Sequence, residues 1–267
     1  MSMARVEKVR PRVSVITLDD PGTLNAMSFE LVGALYEALD TVGKDNDCHA
    51  VVLTGAGRGF CSGMNLEYVG LPPHADGLTM ARLATRAMSF MANIVPAMRD
   101  IPQPIIAAIN GPAFGGGMCL PLGADIRLAG RAARFCAAGI RNGLTGTELG
   151  VSYLLPRLIG ASRANEIILS GREVDADEAE RVGLVSRVVD DAELLPAAIE
   201  LAERIAEFSG HGVAMTKEVL WSSLECGSLR AAIDLENRNQ LLVRMTTRNL
   251  EEAIQARKQR RKPVFED

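Results

Sequence analysis

The chain has 267 residues, 29 basic and 33 acidic, and its net charge of −4 offers no global field for nucleic acid or an anionic membrane. Hydrophobic residues make up 48%, charged ones 23% and aromatics 4%, so a core of Ala, Val, Leu and Ile is expected in an α/β protein that needs no staples. The five cysteines (Cys48, Cys61, Cys119, Cys136, Cys226) show neither CxxC nor Cys/His metal spacing, which excludes a sequence-readable metal centre and reads as reduced thiols in the cytoplasm.

The N-terminal stretch carries Arg5, Glu7, Lys8, Arg10 and Arg12 without an apolar run, and reads as mature protein rather than a targeting segment. Residues 13–18 form a β-branched run closed by Asp19-Asp20-Pro21-Gly22, a strand into a turn. A helix follows, with Ser28 as N-cap and Leu31, Leu35, Leu39 and Val42 at helical spacing.

Residues 50–54 form an apolar strand running into a glycine-dense loop that reaches Leu66. Pro72, Pro73, His74 and Gly77 mark an exposed excursion, and 79–99 reads as one longer helix. The charge-free stretch 101–124 is long enough to span a bilayer, but Pro102, Pro104, Asn110, Pro112, Gly115-Gly116-Gly117 and Pro121 interrupt it, so a buried strand at 105–109 and a glycine-rich turn at 110–117 fit better. A strand is expected at 185–189, and helices at 193–208, 213–224, 229–245 and 250–261. The change of texture near residue 200 suggests a core over 1–200 and a helical region over 201–267.

Two strands thus end in glycine-rich loops. Without a Cβ, a glycine lets backbone N–H groups approach a ligand, and two such donors on one oxygen stabilise charge developing on a carbonyl. Neither loop has GxGxxG at a strand–helix junction or GxxxxGK[ST], which argues against a nucleotide phosphate site.

The motifs Leu24-Asn25-Ala26-Met27, Gly63-Met64-Asn65-Leu66, Asn110-Gly111-Pro112-Ala113-Phe114-Gly115-Gly116-Gly117, Leu155-Pro156-Arg157-Leu158-Ile159-Gly160 and Gly183-Leu184-Val185 resemble those of the crotonase superfamily, the enoyl-CoA hydratases and isomerases, along nearly the whole chain. The resemblance implies a spiral of ββα units with a C-terminal helical trimerisation region, a homotrimer or dimer of trimers, and an acyl-CoA thioester as substrate. No separate cofactor is implied, because coenzyme A arrives as part of that substrate. By position, the oxyanion donors are the N–H groups of Met64 and Gly116. The thioester is expected to pass Ala26, Cys61, Ser62, Gly63, Asn65 and Leu66, with Gly115, Cys119 and Gly139 beside it and Arg260 reaching a neighbouring subunit's CoA.

The departures from the pattern bear on the reaction. Where hydratases carry their two acid/base carboxylates, this chain has Cys119 and Gly139, so hydration through those positions is ruled out. Glu148, in Thr145-Gly146-Thr147-Glu148-Leu149-Gly150, resembles the acid of dienoyl-CoA isomerases, offset by one residue. Cys119 has no histidine partner and reads as a small buried hydrophobe rather than a nucleophile. Asn65 reads as a loop-organising side chain, and Asp125 as a turn residue. Isomerisation, an unconventional hydration, thioester hydrolysis, decarboxylation and non-catalytic acyl-CoA binding all remain open, whereas a serine peptidase lacks a suitably placed histidine.

Overall fold

The structure, a computed structural model, describes residues 2–266. Strand β1 (Ala4–Arg10) pairs antiparallel with β2 (Val13–Leu18), after which Ser28 caps α1 (Phe29–Lys44) by accepting the Leu31 N–H at 3.1 Å. Then come β3 (Ala50–Gly55), α2 (Met80–Ala92), α3 (Ile94–Asp100), β4 (Ile105–Ile109), β5 (Pro112–Phe114) and α4 (Gly116–Gly123). They are followed by β6 (Ile126–Gly130), β7 (Arg134–Cys136), α5 (Val151–Ile159), α6 (Ala161–Ser170), β8 (Val174–Asp175), α7 (Ala176–Val182) and β9 (Arg187–Val189). Four helices close the chain: α8 (Leu194–Ala206), α9 (Gly210–Ser223), α10 (Leu229–Thr246) and α11 (Asn249–Gln259).

The larger sheet has the order β1-β2-β3-β4-β6-β9 and is parallel from β2 onward. A smaller sheet, β5-β7-β8, runs beside it, so that β4 and β6 of the large sheet are each followed by a short strand of the small one. This repeated step is the spiral expected from the sequence. Parallel strands must be covered on both faces, and alternation along the strands divides them accordingly. Ile16, Leu18, Val51, Leu53, Ile105 and Ala107 face α1, α3 and α4, whereas Val13, Val15, Val52, Ile106 and Leu128 face Leu194, Ala198, Ala202 and Ala206 of α8.

Several expectations shift. Strand β1 has no apolar alternation to reveal it, because it is an edge strand with charged, exposed side chains. The single helix expected over 79–99 is two, sharing Asn93 as boundary: Pro96 has no N–H to donate and its ring would strike the carbonyl of Ala92. The segment 110–117 is not only a turn, since it holds β5 and the first turn of α4. All eight residues of α4 are buried, leaving no polar face to betray a helix. The strand expected at 185–189 is shorter, and α9 begins three residues before the expected 213 because Ser209 accepts the Gly212 N–H.

Candidate active site

Two asparagines, Asn25 buried and Asn110 half-buried, hold the first glycine loop. Asn25 Nδ2 donates to the carbonyls of Ala56, Gly59 and Phe60, and Asn110 Nδ2 to those of Gly55 and Gly57, tying the ends of β3 and β4 together. Asn25 lies in the Leu24–Met27 motif, but its polarity alone gave no sign of this role. Beyond the loop, short parallel bridges extend the small sheet. Cys61 N–H donates to Pro112 O at 3.0 Å, while Phe114 N–H donates to Cys61 O at 3.0 Å. Met27 N–H donates to Gly63 O at 2.7 Å and Asn65 N–H to Met27 O at 3.0 Å.

That ladder consumes the groups on either side of Met64 and points the Met64 N–H away from it. Gly116, the first residue of α4, has an N–H with no acceptor inside its own helix. The two loops touch backbone to backbone: a methyl group on Gly63 would lie 2.6 Å from Phe114 O and 3.5 Å from Gly115 Cα. Gly117 is equally constrained, since a methyl there would meet Cys61 O at 2.1 Å. Met27, which sequence reasoning placed only within a motif, puts its sulfur 2.8 Å from where a Gly116 methyl would stand.

Glu148 is brought to this junction. Its Oε1 lies 3.2 Å from the methyl position of Gly115 and 3.6 Å from that of Gly139, and its Oε2 lies 3.6 Å from that of Gly116. The half-buried carboxyl is pushed above the ordinary carboxylate range by loss of solvent. Its backbone sits in an unusual turn, because Leu149 (φ +45°) and Gly150 (φ +88°) are both left-handed and the bulky leucine is an outlier there. Gly139 is glycine for a local reason: a methyl would strike Thr145 O at 2.4 Å, so the loop that carries Glu148 occupies the space a glutamate at 139 would need.

The other expected residues are distributed around this centre. Ala26, Cys61, Gly63, Gly115 and Cys119 are buried, and burial raises the Cys61 thiol to about 12 and the Cys119 thiol well above its ordinary value, which leaves neither as a ready thiolate. Ser62 Oγ donates to Thr23 O at 2.9 Å, and Asn65 Oδ1 accepts the N–H groups of Glu67 and Tyr68, organising the turn just after Met64. Leu66 is exposed. Arg260 ends α11 in a left-handed conformation, in a segment pinned by Arg261 to Glu252 and by Lys262 to Glu207, apart from the contacts that join the two loops and Glu148. Asp125 is no base: it accepts the Ile105 N–H and the Trp221 indole N–H and pairs with buried Lys217. Among the described residues, no group of three His, Cys, Asp or Glu could hold a metal, and no helix is long and apolar enough to cross a membrane.

A sequence profile described as enoyl-CoA hydratase/isomerase matches residues 9–267. The chain belongs to the enoyl-CoA hydratase/isomerase family. A Mycobacterium bovis protein named probable enoyl-CoA hydratase is 51% identical over 267 residues, covering 100% of this chain and 94% of the relative. The crystal structure of a probable enoyl-CoA hydratase/isomerase from Mycobacterium abscessus superposes with TM-score 0.94 at 48% identity, covering 99% of this chain and 98% of that one. A monofunctional enoyl CoA isomerase from M. smegmatis superposes with TM-score 0.74 at 44% identity, covering 87% of this chain and 99% of that one. The chain is an enzyme of this family with the crotonase fold, and an acyl-CoA thioester substrate fits that family.

Proposed function

We propose that this enoyl-CoA hydratase/isomerase moves a carbon–carbon double bond within an acyl-CoA thioester, with Glu148 as its single acid/base group. The observation that carries this reading is the carboxyl of Glu148 standing against Gly115, Gly116 and Gly139; the family resemblance, which sets Cys119 and Gly139 where hydratases carry carboxylates, supports it. Hydration needs one group to activate water and another to protonate carbon, whereas migration of a double bond can reuse one carboxylate.

The N–H groups of Met64 and Gly116 hold the thioester oxygen. Glu148 takes a proton from C2 of a 3-enoyl thioester, and the C–H electron pair flows into a dienolate whose negative oxygen lies on those two donors. The protonated carboxyl returns the proton to C4, the bond between C2 and C3 becomes double, and no water is added. Raising the carboxyl above the ordinary range suits it to both halves of that transfer. The isomerase likeness at 44% identity supports the same choice.

The subunit is proposed to work as a trimer or dimer of trimers, with α10 at an interface. That helix buries no residue within the chain and exposes Leu229, Leu241, Leu242 and Met245. Arg260 would then meet CoA bound to a neighbour.

Incubation of the purified protein with 2-enoyl, 3-enoyl, dienoyl, 3-hydroxyacyl and malonyl-type thioesters, followed by chromatographic separation of the isomers and mass spectrometry, tests the reaction class. Conversion of 3-enoyl to 2-enoyl thioester without change of mass in ordinary water is the expected result. Hydration as the main turnover, or loss of CO₂ or free CoA, would overturn it.

A further inference from the structure

Among the described residues no carboxylate perturbs Glu148, so its position is set by its own backbone and by what holds it. We propose that Cys119 is a positioning residue for the reaction, its thiol tying the backbone of Glu148 to the helix whose first N–H serves the thioester oxygen. This inference rests on the acid/base reading of Glu148.

Cys119 lies in the first turn of α4, three residues after Gly116, and is 1% exposed. Its Sγ stands 3.4 Å from the carbonyl oxygen of Glu148 and 3.6 Å from that of Gly115, so its single S–H can be given to the nearer Glu148 oxygen or shared between the two. The Glu148 carbonyl also accepts the Val151 N–H at 2.9 Å, so two elements, α4 and the start of α5, converge on one oxygen. Gly115 is anchored in turn by donating its N–H to Cys136 O at 2.8 Å. The thiol therefore spans the junction between the second glycine loop and the turn bearing the carboxyl.

The surroundings of the sulfur favour a donor at this position. Two carbonyl oxygens lie within its reach and can accept from it, the Val151 N–H faces it from α5, and burial keeps the thiol protonated and able to donate. A carboxylate at 119, as the hydratase pattern implies, would set its oxygens against those two carbonyls and add a second charge beside Glu148. Cysteine at 119 and glutamate at 148 thus form one arrangement, and a hydratase-like carboxylate at 119 belongs to another. The titratable groups facing the Glu148 carboxyl are the thiols of Cys61, from the first loop, and Cys119, from α4, so neither supplies a counter-charge.

Cys119→Ser keeps a donor and Cys119→Ala removes it with little change of volume. Glu148 is followed by carbon-13 NMR in the protein without substrate, its resonance assigned by loss in Glu148→Gln, alongside kcat and KM for the 3-enoyl thioester. In Cys119→Ala the titration midpoint of Glu148 should fall toward the ordinary carboxylate value as the carboxyl drifts into water. Its kcat should fall about threefold to tenfold with KM within about a factor of two, as loss of one weak hydrogen bond implies. The serine variant should restore both. Equal behaviour of alanine and serine, or a joint fall of kcat, affinity and melting temperature, would make Cys119 mere packing and overturn the proposal. An inactive Glu148→Gln beside an unperturbed Cys119→Ala sinks the tether alone, while a fully active Glu148→Gln sinks the acid/base reading beneath it.

Discussion

Met27 bonds to both neighbours of Met64 and not to Met64 itself, donating to Gly63 O at 2.7 Å and accepting from the Asn65 N–H at 3.0 Å. The same residue lays its sulfur against Gly116. One side chain and its backbone therefore bracket both N–H groups assigned to the thioester oxygen.

Those donors can be tested at position 116. Proline is tolerated at the first position of a helix, so Gly116→Pro removes the N–H while the helix start remains permissible. Gly116→Ala brings comparable crowding against Met27 but keeps the N–H. The proline variant should lose about 10²–10³ in kcat relative to the alanine variant. Steady-state kinetics on folded samples checks this, and equal rates would remove Gly116 from the site.

Glu148 carries a cost in stability. Its pKa is raised in the folded state above the ordinary 4.5, so the folded protein holds the proton more tightly than the unfolded chain. The associated stabilisation is present below the ordinary value and is lost as pH rises through the folded pKa. Glu148→Gln should therefore melt at a higher temperature than the natural protein at neutral pH, with the gap closing below pH 4.5. Calorimetry at both pH values measures it, and a lower melting temperature for the glutamine variant at neutral pH would show that the carboxylate is stabilised rather than strained.

Much of this was legible in the chain. The apolar runs at β2, β3 and β4 stand out because strands covered on both faces are apolar throughout, and Ser28 announces the start of α1. The resemblance to the crotonase superfamily implied Met64 and Gly116 as donors, and its missing carboxylates directed attention to Glu148. What could not be read were relationships set by tertiary contact. Helix α4 is buried all round and lacks periodicity, the clash of Gly139 with Thr145 O comes from residues brought together by a loop, and the left-handed Leu149 carries no sequence signal.

The C-terminal helices are pinned to the sheet by a buried ion pair. Lys217 Nζ lies 3.3 Å from Asp125 Oδ2 and donates to the carbonyls of Met98 and Gln103, and burial lowers its pKa. Asp125→Ala leaves that ammonium without its counter-charge and should cost about 3–5 kcal/mol of stability. Lys217→Met should cost less, because Asp125 keeps its bonds from Ile105 and Trp221. Urea denaturation of both variants tests the order, and a larger loss for Lys217→Met would reverse the argument.

The proposed assembly rests on the exposed apolar residues of α10. Light scattering at micromolar concentration should report three or six copies, and replacing exposed Leu241 and Met245 together with Glu should shift the population toward smaller species. A monomeric natural protein would remove the basis for placing Arg260 beside a neighbour's CoA.

The acid/base role of Glu148 is tested by the turnover number of Glu148→Gln for conversion of a 3-enoyl to a 2-enoyl CoA thioester. Glutamine keeps the size and hydrogen-bonding capacity of the side chain and removes its proton chemistry. A positioned acid/base group implies a fall in kcat of about 10²–10⁴, with affinity for a saturated acyl-CoA within about a factor of two. A glutamine variant that isomerises at close to the natural rate would contradict it.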